Sequence, residues 1–88
     1  MNIEAIVREC FEQNKFVAGV ARKNYGFGWK DFGSDEAFKS GVAYLDQLEA
    51  EGRIKVVRRH PENESGPGIV DLVLVRLTDQ GKVWLGWE

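Results

Sequence analysis

The residue types that most often carry catalysis or bind metals are few in this chain and stand apart from one another. His60 is the single histidine and Cys10 the single cysteine among 88 residues. Neither has a partner at the spacing of a catalytic triad or of a metal site. The glycines of Gly26-Phe27-Gly28 lack the context and spacing of a phosphate-binding loop. The sequence therefore predicts a protein without catalysis, metal or cofactor.

Charge is more informative, because like charges are grouped by segment. Residues 13–30 and 53–60 each carry four Lys or Arg side chains and no carboxylate, whereas residues 31–52 have a net charge of −5. Clustered cations are what contacts to nucleic-acid phosphates require. A solvated helix end for the first segment and an edge strand protected by charge for the second are equally reasonable interpretations. The cations that we predict to contact phosphate are Arg22, Lys23, Lys39, Arg58 and Arg59.

A glycine-rich aromatic segment spans residues 24–33. Its glycines argue against a regular helix, and its aromatic side chains are costly to leave in water, so we predict an ordered loop. The aromatic side chains either line a groove or form a satellite of the core, and the second is the more common arrangement. Tyr25 and Trp29 from this loop, and Trp87 near the C-terminus, are predicted dimer or partner contacts.

Apolar spacing predicts two helices before this loop. The first begins at the cap residue Asn2, ends near Asn14 and buries one apolar stripe. The second is short and runs from Phe16 to about Asn24. Members of the first stripe are Ile3, Ile6, Val7, Cys10 and Phe11.

A third helix is predicted from Asp35 to Glu51, capped by Ser34 and stopped by Gly52 in a left-handed conformation. Its apolar face consists of Phe38, Gly41, Val42, Leu45 and Leu48, bordered by Ala37 and Tyr44.

An antiparallel hairpin should follow, with strands at 53–60 and 69–77 joined by a turn-rich segment. We expect Ile54 and Val56 on one face of the first strand, and Lys55, Val57 and Arg59 on the other. The return strand is apolar on both faces, so the aromatic loop or a second subunit should cover one of them. A final helical turn should carry Val83, Trp84 and Leu85 onto the first helix.

The residues from Gly41 to Val56 resemble the third helix and first wing strand of bacterial winged-helix regulators. Residues 76–82, Arg-Leu-Thr-Asp-Gln-Gly-Lys, resemble the junction that follows the wing in the MarR-like and PadR-like groups. The resemblance covers about half of the chain. It implies an α+β winged helix-turn-helix fold: three helices, a two-stranded antiparallel wing and a short C-terminal helical turn.

The same resemblance implies a small transcriptional regulator that binds double-stranded DNA as a homodimer. Ser40 and Gln47, on the outward side of the third helix, would read bases. The sequence departs from the family in two ways. The predicted link between the second and third helices is about ten residues, longer than the usual 3–4. The third helix also carries Asp35, Glu36 and Asp46. These carboxylates favour an alternative, an interaction module that binds a basic protein partner and no DNA.

Length and composition agree with either reading. Eighty-eight residues suffice for one domain, residues 1–88, and an unpaired cysteine is typical of the reducing cytoplasm. No apolar run is long enough for a membrane helix, so we expect no membrane association.

Overall fold

The structure is a computed structural model that describes residues 2–17, 20–21, 23–60 and 72–87. It has an α+β architecture, as predicted. The elements, in chain order, are α1 (Ile3–Gln13), β1 (Phe16–Val17), β2 (Val20–Ala21), β3 (Tyr25–Gly28), α2 (Trp29–Phe32), α3 (Asp35–Ala50), β4 (Ile54–His60), β5 (Leu72–Leu77) and α4 (Asp79–Trp84). No helix in the described ranges is long and apolar enough to cross a membrane.

A three-stranded antiparallel sheet organises the fold, with the strands in the order β3-β5-β4. The predicted hairpin is confirmed as β4 and β5. The predicted tip, residues 61–71, lies outside the described residues. Because β5 is paired on both edges, its backbone groups are satisfied and it can be buried under the helices.

The prediction of a loop over residues 24–33 is wrong, because this segment contains β3 and α2. Tyr25 and Phe27 face the core, while Gly26 and Gly28 fall on the other side of the strand. This period of two is a strand signal, which the high glycine content hid.

The prediction of a second helix at residues 16–24 is also wrong. Residues Phe16 and Val17 of β1 pair with Ala21 and Val20 of β2 in a separate two-stranded sheet. The β-branched valines favour an extended backbone, and their preference outweighs the helical spacing of the apolar residues.

The core joins α1, the sheet and α3. The Phe11 ring meets Tyr25 and Phe27 edge-on, at centroid distances of 4.9 and 5.2 Å. Leu45 and Leu48 of α3 are fully buried, as the predicted stripe requires. The aromatic segment thus belongs to the main core and not to a satellite cluster. The buried set is Val7, Phe11, Tyr25, Phe27, Phe32, Phe38, Leu45, Leu48, Ile54, Val73 and Val75.

The predicted helix ends are confirmed. The side chains of Asn2, Ser34 and Thr78 accept hydrogen bonds from backbone N–H groups in the first turns of α1, α3 and α4. Gly52 has a φ of 78°, the left-handed conformation that ends α3.

One part of the prediction for the last helix is wrong: Val83 is 61% exposed. Trp84 does return to α1, where the Arg8 guanidinium lies 4.4 Å from its ring centroid.

The contact between α2 and α3 is set by Gly41. A Cβ built on this residue would lie 2.5 Å from ring carbons of Phe32. The absent side chain therefore lets the ring of α2 lie directly on the backbone of α3.

Replacing Gly41 with alanine tests this contact. Alanine favours a helix by about 1 kcal/mol over glycine, but the clash with Phe32 costs more. We expect Gly41→Ala to lower the free energy of unfolding by about 2 kcal/mol, measured by urea denaturation. The control is Ser40→Ala on the exposed side of the same turn, which should change stability by less than about 0.5 kcal/mol. A Gly41→Ala protein as stable as the wild type would contradict the packing described.

Candidate functional site

A short link joins α2 to α3. Only Gly33 and Ser34 separate the two helices, so the predicted ten-residue link is wrong. Gly33 has a φ of 93°, and the Ser34 hydroxyl accepts from the N–H of Ala37 at 3.1 Å. The Asp31 carboxylate accepts from the N–H of Gly28 at 2.7 Å, which fixes the start of α2 against the end of β3. These contacts fix the path of the chain from the end of β3 through α2 to the start of α3.

The outward face of α3, which we define as Lys39, Ser40 and Gln47, is exposed. Ser40 and Gln47 are two turns apart and so lie on the same side of the helix. The Gln47 amide donates to the Glu51 carboxylate at 3.3 Å, which leaves its carbonyl oxygen available for a ligand. The structure thus places together the two side chains that were predicted to read bases.

The carboxylates in the second half of α3 and at its C-terminal cap, Glu51, contact residues 53–59 of the same chain. Asp46 forms an ion pair with Arg59 of β4. Glu49 accepts from the N–H of Val56 at 2.7 Å, a free edge position of β4. Glu51 lies 3.6 Å from Arg53. Much of the acidity of α3 is therefore used inside the fold, where it fixes α3 to the sheet.

The carboxylates at the start of α3 are different. Asp35 and Glu36 are exposed, and among the described residues neither forms an ion pair. Both stand in the first turn, where negative charge stabilises the positive end of the helix dipole. They can repel phosphates or attract a cationic partner.

A bulge in β4 changes the predicted faces of that strand. Val56 pairs with Val75, but Arg58 pairs with the next residue of β5, Leu74, so Val57 is an extra residue. Arg59 therefore lies opposite Val73, on the side of the sheet that α3 covers, and Arg58 lies on the other side. The prediction that Arg59 shares a face with Lys55 is wrong, because a bulge reverses the alternation beyond it.

The predicted phosphate contacts that the structure describes do not form one patch. Lys39 belongs to α3, and Arg59 of β4 is occupied by its ion pair with Asp46 of the same helix. Lys23 precedes β3 at the opposite edge of the sheet from β4. Arg22 lies outside the described residues.

The three predicted aromatic contacts also differ from one another. Tyr25 is 5% exposed and packs against Phe11, which leaves little of its surface for a partner. Trp87 is half-buried, and its indole N–H donates to Glu12. Trp29 is 45% exposed and lines an open pocket with Ser34 and Asp35 at the start of α3.

The side of the sheet opposite α3 was not identified from the sequence as a candidate binding surface. We call it the outer sheet face; its described side chains are those of Lys55, Arg58, Leu72, Leu74 and Arg76. The doubly apolar return strand was the available signal. The expectation that the aromatic loop covers this face is wrong, because β3 pairs with the edge of β5 instead.

The described residues contain no group of three or more His, Cys, Asp or Glu side chains that could hold a metal ion. Burial, aided by the negative charges of Asp31 and Glu9, raises the pKa of the Cys10 thiol to about 11. Cys10 is thus a protonated thiol at neutral pH and a weak nucleophile.

Comparisons with known proteins give no relatives: no protein-family model, curated protein or solved structure matches this chain.

The raised pKa of Cys10 predicts slow alkylation. At pH 8 a thiol with a pKa of about 11 contains about 100-fold less thiolate than one at the ordinary 9.0, so the folded protein should react with iodoacetamide at least about 100-fold more slowly than the urea-unfolded chain. The ratio should shrink as the pH rises above 9, because only the unfolded thiol is by then largely ionised. Mass spectrometry measures both rates, and equal rates at pH 8 would contradict the partial burial of the Cys10 side chain on α1.

Proposed function

We propose that this protein is a winged-helix DNA-binding protein that regulates transcription and has no catalytic activity. The observation that carries the proposal is the path from β3 to β5. Strand β3 leads into α2 and α3, which are joined by a two-residue link. The antiparallel hairpin β4–β5 follows, and its second strand, β5, also pairs with β3. This order is that of a winged helix-turn-helix domain, with α3 in the place of the recognition helix and β4–β5 in the place of the wing.

Exposure of α3 supports the same function. Its apolar stripe is buried against the sheet, which leaves Lys39, Ser40 and Gln47 directed away from the core. A helix of this kind fits the major groove, where serine and glutamine donate to and accept from base edges. In this proposal Lys39 contacts phosphate and Ser40 and Gln47 contact bases.

Pairing within the fold reduces the electrostatic objection to DNA. Asp46 is neutralised by Arg59, and Glu49 is held by the backbone of β4. Lys30, on the exposed side of α2, adds a cation next to the link. Phosphate contacts from Lys30 and Lys39 would position α3, while the base contacts supply selectivity.

Binding as a homodimer is part of the proposal, because two half-sites multiply the few base contacts of one helix. Trp29 offers exposed apolar surface at the helix link, and Val83 offers it on α4. Sedimentation of the free protein and of its complex with DNA measures the stoichiometry directly.

Salt dependence is the first test of DNA binding. Two phosphate contacts predict a log–log slope of about −1.8 and a loss of affinity of about 12-fold between about 50 and 200 mM salt. Fluorescence anisotropy with a mixed-sequence 20-base-pair duplex measures both. Lys39→Ala should reduce the slope by about 1, because one phosphate contact is lost. The matched control, Lys82→Ala on α4, removes the same charge away from α3 and should leave the slope unchanged. No binding at low salt would refute the proposal.

A second candidate is a protein-interaction module that binds a basic partner through the start of α3. The exposed carboxylates of Asp35 and Glu36, together with Trp29, favour it. An aromatic ring beside carboxylates suits a lysine or arginine side chain.

Replacing Asp35 and Glu36 with lysine separates the two candidates. The DNA function predicts that this double substitution strengthens duplex binding about tenfold or more, because two repulsive charges become attractive. The module predicts that it abolishes binding of a fluorescein-labelled lysine- and leucine-rich peptide. Asp79→Lys on α4 serves as the control for a change of charge elsewhere.

A further inference from the structure

The outer sheet face combines positive charge with exposed apolar surface. No residue of β3, β4 or β5 is an aspartate or glutamate, so the charged side chains that these strands place on this face are all cations. Leu72 and Leu74 are partly buried on this face, and Val57 of the bulge is 46% exposed. The side chains of Leu72 and Leu74 lie over Gly26 of β3: a Cβ built on this glycine would lie 3.3 Å from Cδ1 of Leu72 and 3.5 Å from Cδ2 of Leu74.

Two cations stand directly opposite each other on this face. Lys55 of β4 pairs in register with Arg76 of β5, and both side chains are exposed. Like charges at a cross-strand pair destabilise a sheet, so the pairing has a cost that the fold does not require. The Arg76 guanidinium donates to the Asn24 side chain at 3.1 Å, which holds it beside β3. A local rule broken without a structural gain is typical of a binding site.

We propose that the outer sheet face docks an acidic peptide segment whose carboxylates alternate with apolar side chains. One carboxylate would bridge Lys55 and Arg76, and an apolar side chain would lie over Leu72 and Leu74. The surface has the anatomy of a protein interface, an apolar centre with a charged rim. Charge complementarity selects an acidic partner.

Nucleic acid fits this face less well. Phosphates would pair with the cations, but the described side chains of the face include no aromatic ring on which a base could stack. The central leucines would then stay uncovered or lie against a charged backbone. The site stands independently of DNA binding, because α3 packs on the opposite side of the sheet and both ligands could be held at once.

The test uses the full chain and a fluorescein-labelled ten-residue peptide of alternating glutamate and leucine. Saturable binding by anisotropy is expected, weakened by salt. A peptide with lysine for glutamate should not bind, and one with serine for leucine should bind at least about fivefold more weakly, because the apolar contact is lost. Amide shifts on titration should fall in β4 and β5.

The diagnostic variant is Lys55→Gln with Arg76→Gln, and the matched control is Lys15→Gln with Lys82→Gln, which removes the same charge elsewhere. We expect the first pair to raise the dissociation constant about tenfold and the control to change it less than about twofold. The first variant should melt at the same or a higher temperature than the wild type, since it relieves like-charge repulsion. Loss of binding would then not reflect loss of fold.

Four results would overturn the proposal. The first is that the peptide does not bind at millimolar concentration. The second is that the two double variants bind the peptide equally. The third is that a twelve-nucleotide single strand or an anionic vesicle binds in a Lys55- and Arg76-dependent way while the peptide does not. The fourth is self-association in sedimentation that the first variant abolishes, which would make a second copy of the chain the occupant.

Discussion

Pairing of β5 on both of its edges is the constraint on which the rest of this structure depends. Val73 and Val75 are fully buried on its inner side, where the core from α1 and α3 covers them. β3 lies along one edge of β5 and β4 along the other, so α2 and α3 must cross the sheet from one edge to the other. Since crossing from β3 to β4 takes only α2, a two-residue link and α3, the position of α3 follows from the sheet.

Polar contacts then fix α3 more finely than its apolar stripe can. The carboxylate of Glu49 satisfies an edge N–H of β4, and Asp46 holds Arg59, so the second half of the helix is fastened along the strand. At its other end, Gly41 lets Phe32 pack closely. Exposed ion pairs add little free energy, so the buried stripe supplies the stability and the polar contacts orient the helix. The sheet therefore has two usable sides, one bearing α3 and one bearing Lys55 and Arg76.

Elements with a strong local signal could be predicted from the sequence, and those decided by long-range pairing could not. The caps at Asn2 and Ser34 and the left-handed Gly52 follow from local hydrogen bonding and sterics. β3 was missed because four residues with two glycines become a strand only when β5 lies beside them. The bulge at Val57 was missed because a shift of register leaves no mark in the order of residue types. Consequently Ser40 and Gln47 were placed on one side of α3 correctly, whereas Arg59 was assigned to the wrong face of β4.

We propose that the sheet presents α3 as a docking helix for duplex DNA. An amide-resolved NMR titration of the labelled protein with a mixed-sequence duplex tests it most directly. The account predicts that the largest shift changes fall between Trp29 and Gln47, with smaller ones in the second half of β4 and none in α4. Shift changes confined to the outer sheet face, or their absence at low salt, would contradict it.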